Sequence, residues 1–153
     1  MAAPPAPPPG AGTADLHTHS TESDGLLSPA ALAGEAVSRG LRALCLTDHD
    51  SVGGVAEAVA AGAPLGLEVI PGVELSTAVD EDGAEIHLLG YFLDPTDPAL
   101  LAGLAAYAAA RERRMAAMLE RLAGLGIAIA PSAVRALAGR GTVGRPHLAR
   151  ALV

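Results

Sequence analysis

Short apolar runs alternate with helical patterns between residues 13 and 95. The runs predict four strands, at 13–17, at 43–47, at 67–70 with a resumption at 73–78, and at 85–93. Helical spacing predicts helices at 28–38 and 52–61, between the first three runs. Ser28 followed by Pro29 is typical of a helix start, and Gly40 is typical of a helix end. Strands separated by helices of this length indicate βαβ units and a mainly parallel sheet.

The chain divides into three predicted segments. Residues 1–12 are rich in Pro and Ala and predict a disordered tail. Residues 13–95 predict the α/β part, in which a turn signal at 80–83 joins the third and fourth strands as a hairpin. Helical patterns at 100–125, at 131–138 and from about 144 onward predict a mostly helical cap or insertion over 96–153. Nothing near Leu152 is typical of a domain end, so we expect the chain to stop within a fold.

Composition and charge narrow the class of protein. A net charge of −7, with ten Arg and no Lys, argues against the broad basic face that coats nucleic acid. It does not exclude a small nucleotide or oligonucleotide substrate, because bound divalent cations change the local sign of charge. Residues 1–12 lack a secretory signal pattern, and no apolar stretch is long enough to cross a bilayer. We therefore expect a cytoplasmic protein without membrane contact.

Two features favour a structural interpretation over a functional one. Cys45 lies within an apolar run and is expected to be a small buried core residue rather than a nucleophile. Arg111, Arg113 and Arg114 lie on the long predicted helix with an acidic residue between them, which is typical of a solvated charged face.

Candidate metal ligands recur at or near the ends of successive predicted strands. His17 and His19 are separated by one residue, so strand alternation places both imidazoles on the same face. Further His and acidic residues follow near the openings of the next strands, and sites in α/β folds are built at that edge. The sequence therefore predicts a shared metal site formed by six residues: His17, His19, Asp24, His49, Glu74 and His87.

The residue types indicate the metal and the supporting groups. Mixed imidazole and carboxylate ligands suit Mn, Zn or Fe better than Mg or Ca. A structural zinc site is disfavoured, because such sites are usually rich in Cys and four-coordinate. Asp48 is expected to accept a hydrogen bond that fixes a histidine tautomer behind the ligands. Asp50 is expected to cap the helix that begins near Val52.

Arg145 and His147 are candidate phosphate ligands in the helical part. Arg145 precedes Pro146 at a predicted helix start, where a guanidinium beside free backbone N–H groups makes a phosphate site. His147 follows within the first turn and could add a donor. The alternative interpretation, a solvated Arg and a helix-capping His, is equally compatible with the spacing.

The motifs together resemble those of the PHP (polymerase and histidinol phosphatase) family. The resemblance covers residues 14–95 in register, in the segments ADLHTHSTESDG, LCLTDHDSVGG, IPGVELS and EIHLLGYFLDP. It implies the N-terminal half of a distorted (β/α)7 barrel with a helical insertion. The segment GTVGRPHLARALV is similar to stand-alone PHP enzymes that act on nucleoside 3′,5′-bisphosphates or on short RNA and DNA from the 5′ end.

The resemblance also assigns ligands to individual ions. It implies up to three divalent ions, with manganese as the first choice. His17, His19 and Glu74 would bind the first ion, and Glu74 would bridge to a second ion that His87 also binds. Asp24 and His49 would bind the third. A carboxylate that bridges two cations lets them share a hydroxide, which is a nucleophile at neutral pH.

The implied function is hydrolysis of phosphate esters of nucleotides or short oligonucleotides. The family's complete site also needs a further His, and an Asp and a His from the last strands, which would lie beyond Val153. We therefore expect this chain to be inactive alone, and a non-catalytic metal-binding fragment is an alternative. A histidinol-phosphatase-type activity is a second alternative. A proofreading domain of a DNA polymerase is disfavoured, because the chain has no polymerase sequence.

Overall fold

The structure is a computed structural model that describes residues 12–79 and 84–153. The predicted tail, apart from Gly12, and the predicted turn at 80–83 lie outside the described residues. Within the described part, the fold is mixed α/β, as predicted.

Four strands form one curled sheet that corresponds to half of a barrel. They are β1 (Thr13–Thr18), β2 (Leu41–Leu46), β3 (Glu68–Val79) and β4 (Ala84–Tyr91), and they neighbour one another in that order. The β1–β2 and β2–β3 pairs are parallel, whereas β3 and β4 are antiparallel. The predicted parallel sheet and the predicted hairpin are therefore both confirmed.

Five α-helices complete the fold: α1 (Pro29–Ser38), α2 (Val55–Gly62), α3 (Pro98–Gly124), α4 (Pro131–Ala138) and α5 (Arg145–Ala151). A 3₁₀ turn at Ala63–Leu65 follows α2. Ser28 caps α1 as predicted, since its side chain accepts a hydrogen bond from the Ala31 backbone N–H at 3.2 Å. No helix in the described part of the chain combines the length and apolar character needed to cross a membrane.

The third strand is longer than its sequence pattern predicted. It runs without a break through Pro71 and Gly72, but only Glu68 to Pro71 pair with β2. The remaining residues pair with β4, so β3 extends past the end of the parallel ladder. This extension places Glu74 level with the residues that follow β2, where a single bridge joins it to His49.

The hydrophobic residues form two clusters. The first packs the sheet against α1 and α2 around Ala33, Leu44 and Val55, and it includes Leu104 from α3. The second lies within the helical part, around Met115 and residues of α4 and α5. Because α3 contributes to both clusters, a domain boundary near residue 96 stays a prediction. Cys45 is completely buried, which confirms its interpretation as a core residue.

Two sequence predictions are wrong, and a single contact explains both. Asp50 does not cap a helix, because α2 begins only at Val55 after Gly54. Arg111 is not part of a solvated face: it is buried on α3 and forms an ion pair with Asp50. A buried charge is stabilised by an opposite charge beside it. Asp50 and Arg111 are therefore paired with each other and do not have the roles that the sequence predicted. Arg113 is exposed, as predicted.

Candidate metal centre

Four imidazoles gather around the carboxylate of Glu74. Glu74 lies on the extended part of β3 and is only 3% exposed. The imidazoles come from three parts of the chain: two from the end of β1 and the residue after it, one from the loop after β2, and one from β4. They belong to His17, His19, His49 and His87.

Two of these imidazoles come from the end of β1 and the residue after it. His17 Nε2 lies 2.9 Å from Glu74 Oε2, and His19 Nε2 lies 3.0 Å from the same oxygen. Their ring centroids are 5.0 Å apart. The two imidazoles therefore converge on one carboxylate oxygen.

His87 comes from β4, the strand that pairs with the extended part of β3. Ser76 is the register partner of His87, and Leu89 is the partner of Glu74. Because directly opposed residues share a face and alternate residues return to it, His87 and Glu74 point to the same side of the hairpin. His87 Nδ1 lies 2.5 Å from Glu74 Oε1, whereas His17 and His19 lie close to Oε2.

His49 and Asp24 are the remaining members of this cluster. His49 Nδ1 lies 3.5 Å from Glu74 Oε2, and His49 Nε2 lies 3.6 Å from Asp24 Oδ2. Asp24 Oδ1 is also 3.7 Å from His19 Nδ1. Within the described part of the chain, His49 Nδ1 is a buried nitrogen without a hydrogen-bond partner. A buried polar atom left without a partner costs free energy unless a ligand satisfies it.

Three groups of these residues could each hold an ion. Within each group the ligand atoms lie within 4.8 Å of one another. The groups are His17–His19–Glu74, His19–Asp24–His49 and His49–Glu74–His87. Glu74 belongs to two of them, so one carboxylate would serve two ions. His19 and His49 are also each shared by two of the groups.

The charge state of the site favours cations. Burial alone would raise the pKa of Glu74, but hydrogen bonds with His17 and His87 and the nearby His49 lower it below its ordinary value. Burial lowers the pKa of His49 from 6.5 to about 4, against the opposing charge of Asp24. At neutral pH the centre therefore holds an ionised carboxylate and a neutral His49, the forms that bind metal. Together with the buried unpaired nitrogen of His49, this donor set fits divalent ions.

Asp48 forms hydrogen bonds with two serines near His19. It is buried, and Oδ1 accepts hydrogen bonds from the Ser20 backbone N–H at 2.7 Å and from the Ser23 hydroxyl at 2.6 Å. Oδ2 accepts from the Ser20 hydroxyl at 2.6 Å. Ser23 Oγ is also 3.4 Å from His19 Nδ1, so Asp48 reaches a histidine through Ser23. The sequence pattern did not single out Ser20 or Ser23, because serine in a loop has no distinctive spacing.

Arg145 lies beside the centre, whereas His147 is part of the fold. A cavity of about 330 Å³ is lined by Asp24, His49, His87, Arg111, Arg114, Gly144, Arg145, Pro146 and Ala149. His147 is 2% exposed, and its Nδ1 accepts a hydrogen bond from the Gly144 backbone N–H at 3.0 Å. Burial lowers its pKa, which keeps it neutral. This geometry is that of the helix-capping alternative.

The comparison with protein families identifies the class of protein to which this fold and this cluster of His and carboxylate side chains belong. The family described as PHP domain matches residues 15–125, well over half of the chain. The chain therefore belongs to the PHP domain family.

Several relatives with named activities match most of the chain. The 5′-3′ exoribonuclease of Haemophilus influenzae is 43% identical over 139 residues, covering 91% of this chain and 50% of the relative. The 3′,5′-nucleoside bisphosphate phosphatase of Chromobacterium violaceum is 40% identical, covering 91% and 48%. This chain thus spans about half the length of the relatives it matches.

Solved structures match the fold over the same span. An amidohydrolase from Chromobacterium violaceum with bound sulfate and no metal superposes with a TM-score of 0.84 at 38% identity, covering 92% of this chain and 49% of that one. A predicted metal-dependent phosphoesterase from Bifidobacterium adolescentis superposes with a TM-score of 0.83 at 38% identity, covering 96% and 51%. Both likenesses extend over the sheet and the helical part.

Proposed function

We propose that this chain contributes metal ligands to a phosphoesterase that hydrolyses phosphate esters of nucleotides or short oligonucleotides. The observation that supports this most is the convergence of four imidazoles and Asp24 around the buried Glu74. The relatives named as an exoribonuclease and as a bisphosphate phosphatase both act on phosphate esters, which favours the same chemistry here.

Each ligand has a distinct role in this proposal. His17, His19 and Glu74 would hold one ion, and His87 lies beside the other oxygen of Glu74. Asp24 and His49, which line the cavity, would hold a further ion together with His19. When bound, divalent cations neutralise charge on the attacking and leaving oxygens and make a nucleophile available at neutral pH.

The cavity next to the ligands suits an anionic substrate. Arg114 and Arg145 line it together with Asp24, His49 and His87. A guanidinium presents several donors in a fixed plane that matches phosphate oxygens. We assign Arg145 to a substrate phosphate, with Arg114 as a second cation that lines the same cavity. His147 has no such role in the proposal, because its Nδ1 is engaged in the α5 cap.

Manganese is the proposed ion, with zinc or iron as alternatives. Four imidazoles and two carboxylates are harder to reconcile with magnesium or calcium, which favour oxygen ligands. The number of ions, up to three, rests on the three ligand groups. A cytoplasmic location stays a prediction from the sequence.

The proposal is tested by assaying the chain after loading with manganese. A nucleoside 3′,5′-bisphosphate and a 5′-phosphorylated oligonucleotide are offered separately, and release of inorganic phosphate or mononucleotide is measured. Turnover that disappears on chelation and returns with manganese supports the proposal. Turnover that persists in chelator contradicts it, and turnover of histidinol phosphate in preference to both substrates changes the substrate class.

Metal binding without turnover is the second candidate. It is favoured by the fact that this chain spans about half the length of its relatives. Each of the three groups also offers only three ligands among the described residues. Stoichiometric manganese with no product from either substrate supports this candidate.

A further inference from the structure

We infer that Arg111 is a positioning residue for the metal centre: through Asp50 it holds His49 in the orientation that binds metal. Arg111 lies on α3, in the helical part of the chain, whereas His49 follows β2 of the sheet. The inference rests on the proposed metal-binding function and adds a residue to it from a distant element.

Arg111 makes a forked contact with the sheet. Its Nε donates to Asp50 Oδ2 at 2.5 Å, and one terminal nitrogen donates to the Ser76 hydroxyl. Its other terminal nitrogen lies 3.5 Å from the Val143 carbonyl oxygen. Arg111 is only 7% exposed, so water competes little with these bonds. A planar guanidinium presents its donors in a rigid fork that holds two acceptors in fixed directions, whereas the donors of an ammonium rotate.

Asp50 needs this support because of its backbone. Its φ of 52° lies in the left-handed region, which Asp adopts more readily than most residues but at a cost. Asp50 Oδ1 accepts from the Ser76 backbone N–H at 2.8 Å, and the Asp50 N–H donates to the Glu74 carbonyl at 2.9 Å. Arg111 satisfies the remaining carboxylate oxygen. The residue directly after His49 is thereby fixed to β3.

The orientation of His49 depends on these anchors of its neighbours and backbone. On the other side, Asp48 is fixed by Ser20 and Ser23. The His49 carbonyl accepts from the Thr142 hydroxyl at 2.7 Å. Its Nδ1 has no hydrogen-bond partner within the described residues, so no side-chain bond at that atom orients the ring. Loosening Asp50 should therefore release the imidazole.

This arrangement predicts a selective effect on metal binding. His49 belongs to the groups His19–Asp24–His49 and His49–Glu74–His87. The group His17–His19–Glu74 does not contain it. Loss of Arg111 should weaken the two groups that share His49 and spare the third. A general loss of folding would weaken all three together.

The experiment is a manganese titration of the chain followed by calorimetry. Arg111→Met is compared with Arg113→Met, an exposed Arg on the same helix. We expect Arg111→Met to lower manganese affinity about 10- to 100-fold at some sites and to keep at least one tight site, as for other groups that support metal ligands. Arg113→Met should bind as the unmodified chain does. Asp50→Asn should reproduce the effect, and the double variant Arg111→Met/Asp50→Asn should be no weaker than either single variant.

Several outcomes would overturn the inference. Equal titrations for Arg111→Met and Arg113→Met would do so, as would a uniform loss of all sites in a chain with an unchanged circular dichroism spectrum. Additive effects of Arg111→Met and Asp50→Asn would show that Arg111 does not act through Asp50. If Arg111→Met fails to fold, Arg111→Lys decides: a partial, site-selective loss supports the inference, and unchanged affinity overturns it. Failure of the unmodified chain to bind manganese would instead overturn the proposed function and this role with it.

Discussion

Glu74 is the residue around which the histidines of the proposed metal centre gather. Its oxygens lie between 2.5 and 3.0 Å from imidazole nitrogens of His17, His19 and His87. The contacts of His17 and His87 with Glu74 are hydrogen bonds, and His19 forms an ion pair with the same carboxylate if it is protonated. In the proposed centre, Glu74 would be shared by two of the three ion-binding groups. The same carboxylate would then both hold the imidazoles in place and contribute to binding the ions.

Replacing Glu74 by Gln should remove manganese from two of the three groups, because an amide cannot serve as an anionic bridge. Glu68→Gln is the matched control, since Glu68 lies on the same strand and is exposed. We expect fewer manganese ions per chain by elemental analysis for Glu74→Gln and an unchanged ratio for Glu68→Gln. Equal manganese content in the two variants would contradict the role of Glu74.

Cys45 should be chemically silent in the folded chain. Burial raises the pKa of its thiol from 9.0 to about 11, so the reactive thiolate is scarce at pH 8. We expect a maleimide to label Cys45 only after urea is added. Because the folded pKa lies above the unfolded one, this group stabilises the fold below about pH 9 and the contribution is lost as pH rises toward 11. Rapid labelling without denaturant would show that the sheet opens locally.

At the scale of elements, the length of β3 decides where the site forms. Pro71-Gly72 predicted an interruption, because these residues commonly punctuate strands. The strand continues because Pro71 ends the parallel ladder with β2 and Gly72 begins the ladder with β4. Gly72 also lies against Cys45, and an added Cβ would come within 2.4 Å of its Sγ. The glycine permits close packing at this change of partner.

Gly72→Ala should destabilise the chain by about 1–3 kcal/mol, the usual cost of overpacking a core. The added methyl would also meet Thr47 Cγ2 at 2.9 Å, so no single side chain can relieve it. Gly34→Ala is the matched control, because Gly34 lies within α1 with nothing within 4 Å. That change should stabilise by about 0.5–1 kcal/mol, since Gly disfavours a helix interior. Urea unfolding measures both, and equal effects would contradict the packing argument.

The helical elements show what the sequence pattern concealed. The sequence predicts a solvated face for Arg111, because charged residues surround it. On α3, however, the buried positions are Leu104, Arg111, Met115 and Leu119, which follow helical spacing. The position of Arg111 in line with these apolar residues was the one sequence signal that it is buried. Its partner Asp50 is 61 residues away, and no local pattern connects them.

For the whole molecule, the order of elements was predictable because local signals encode it. Ser28 and Gly40 delimit α1, and alternation indicated the strands. The contacts that join the helical part to the metal centre were not predictable. Thr142 reaches the His49 carbonyl across 93 residues, as Arg111 reaches Asp50. Such contacts depend on tertiary packing, which hydrophobic periodicity does not specify.

The proposal that this cluster of side chains is a metal centre is tested most directly with crystals of the chain grown with manganese. An anomalous difference map collected at the manganese edge locates the ions independently of activity. We predict peaks within coordination distance of the group His17–His19–Glu74 and of the groups that contain His49. A map with no peak among these residues, or with manganese bound only elsewhere, would contradict the assignment of this site as the metal centre.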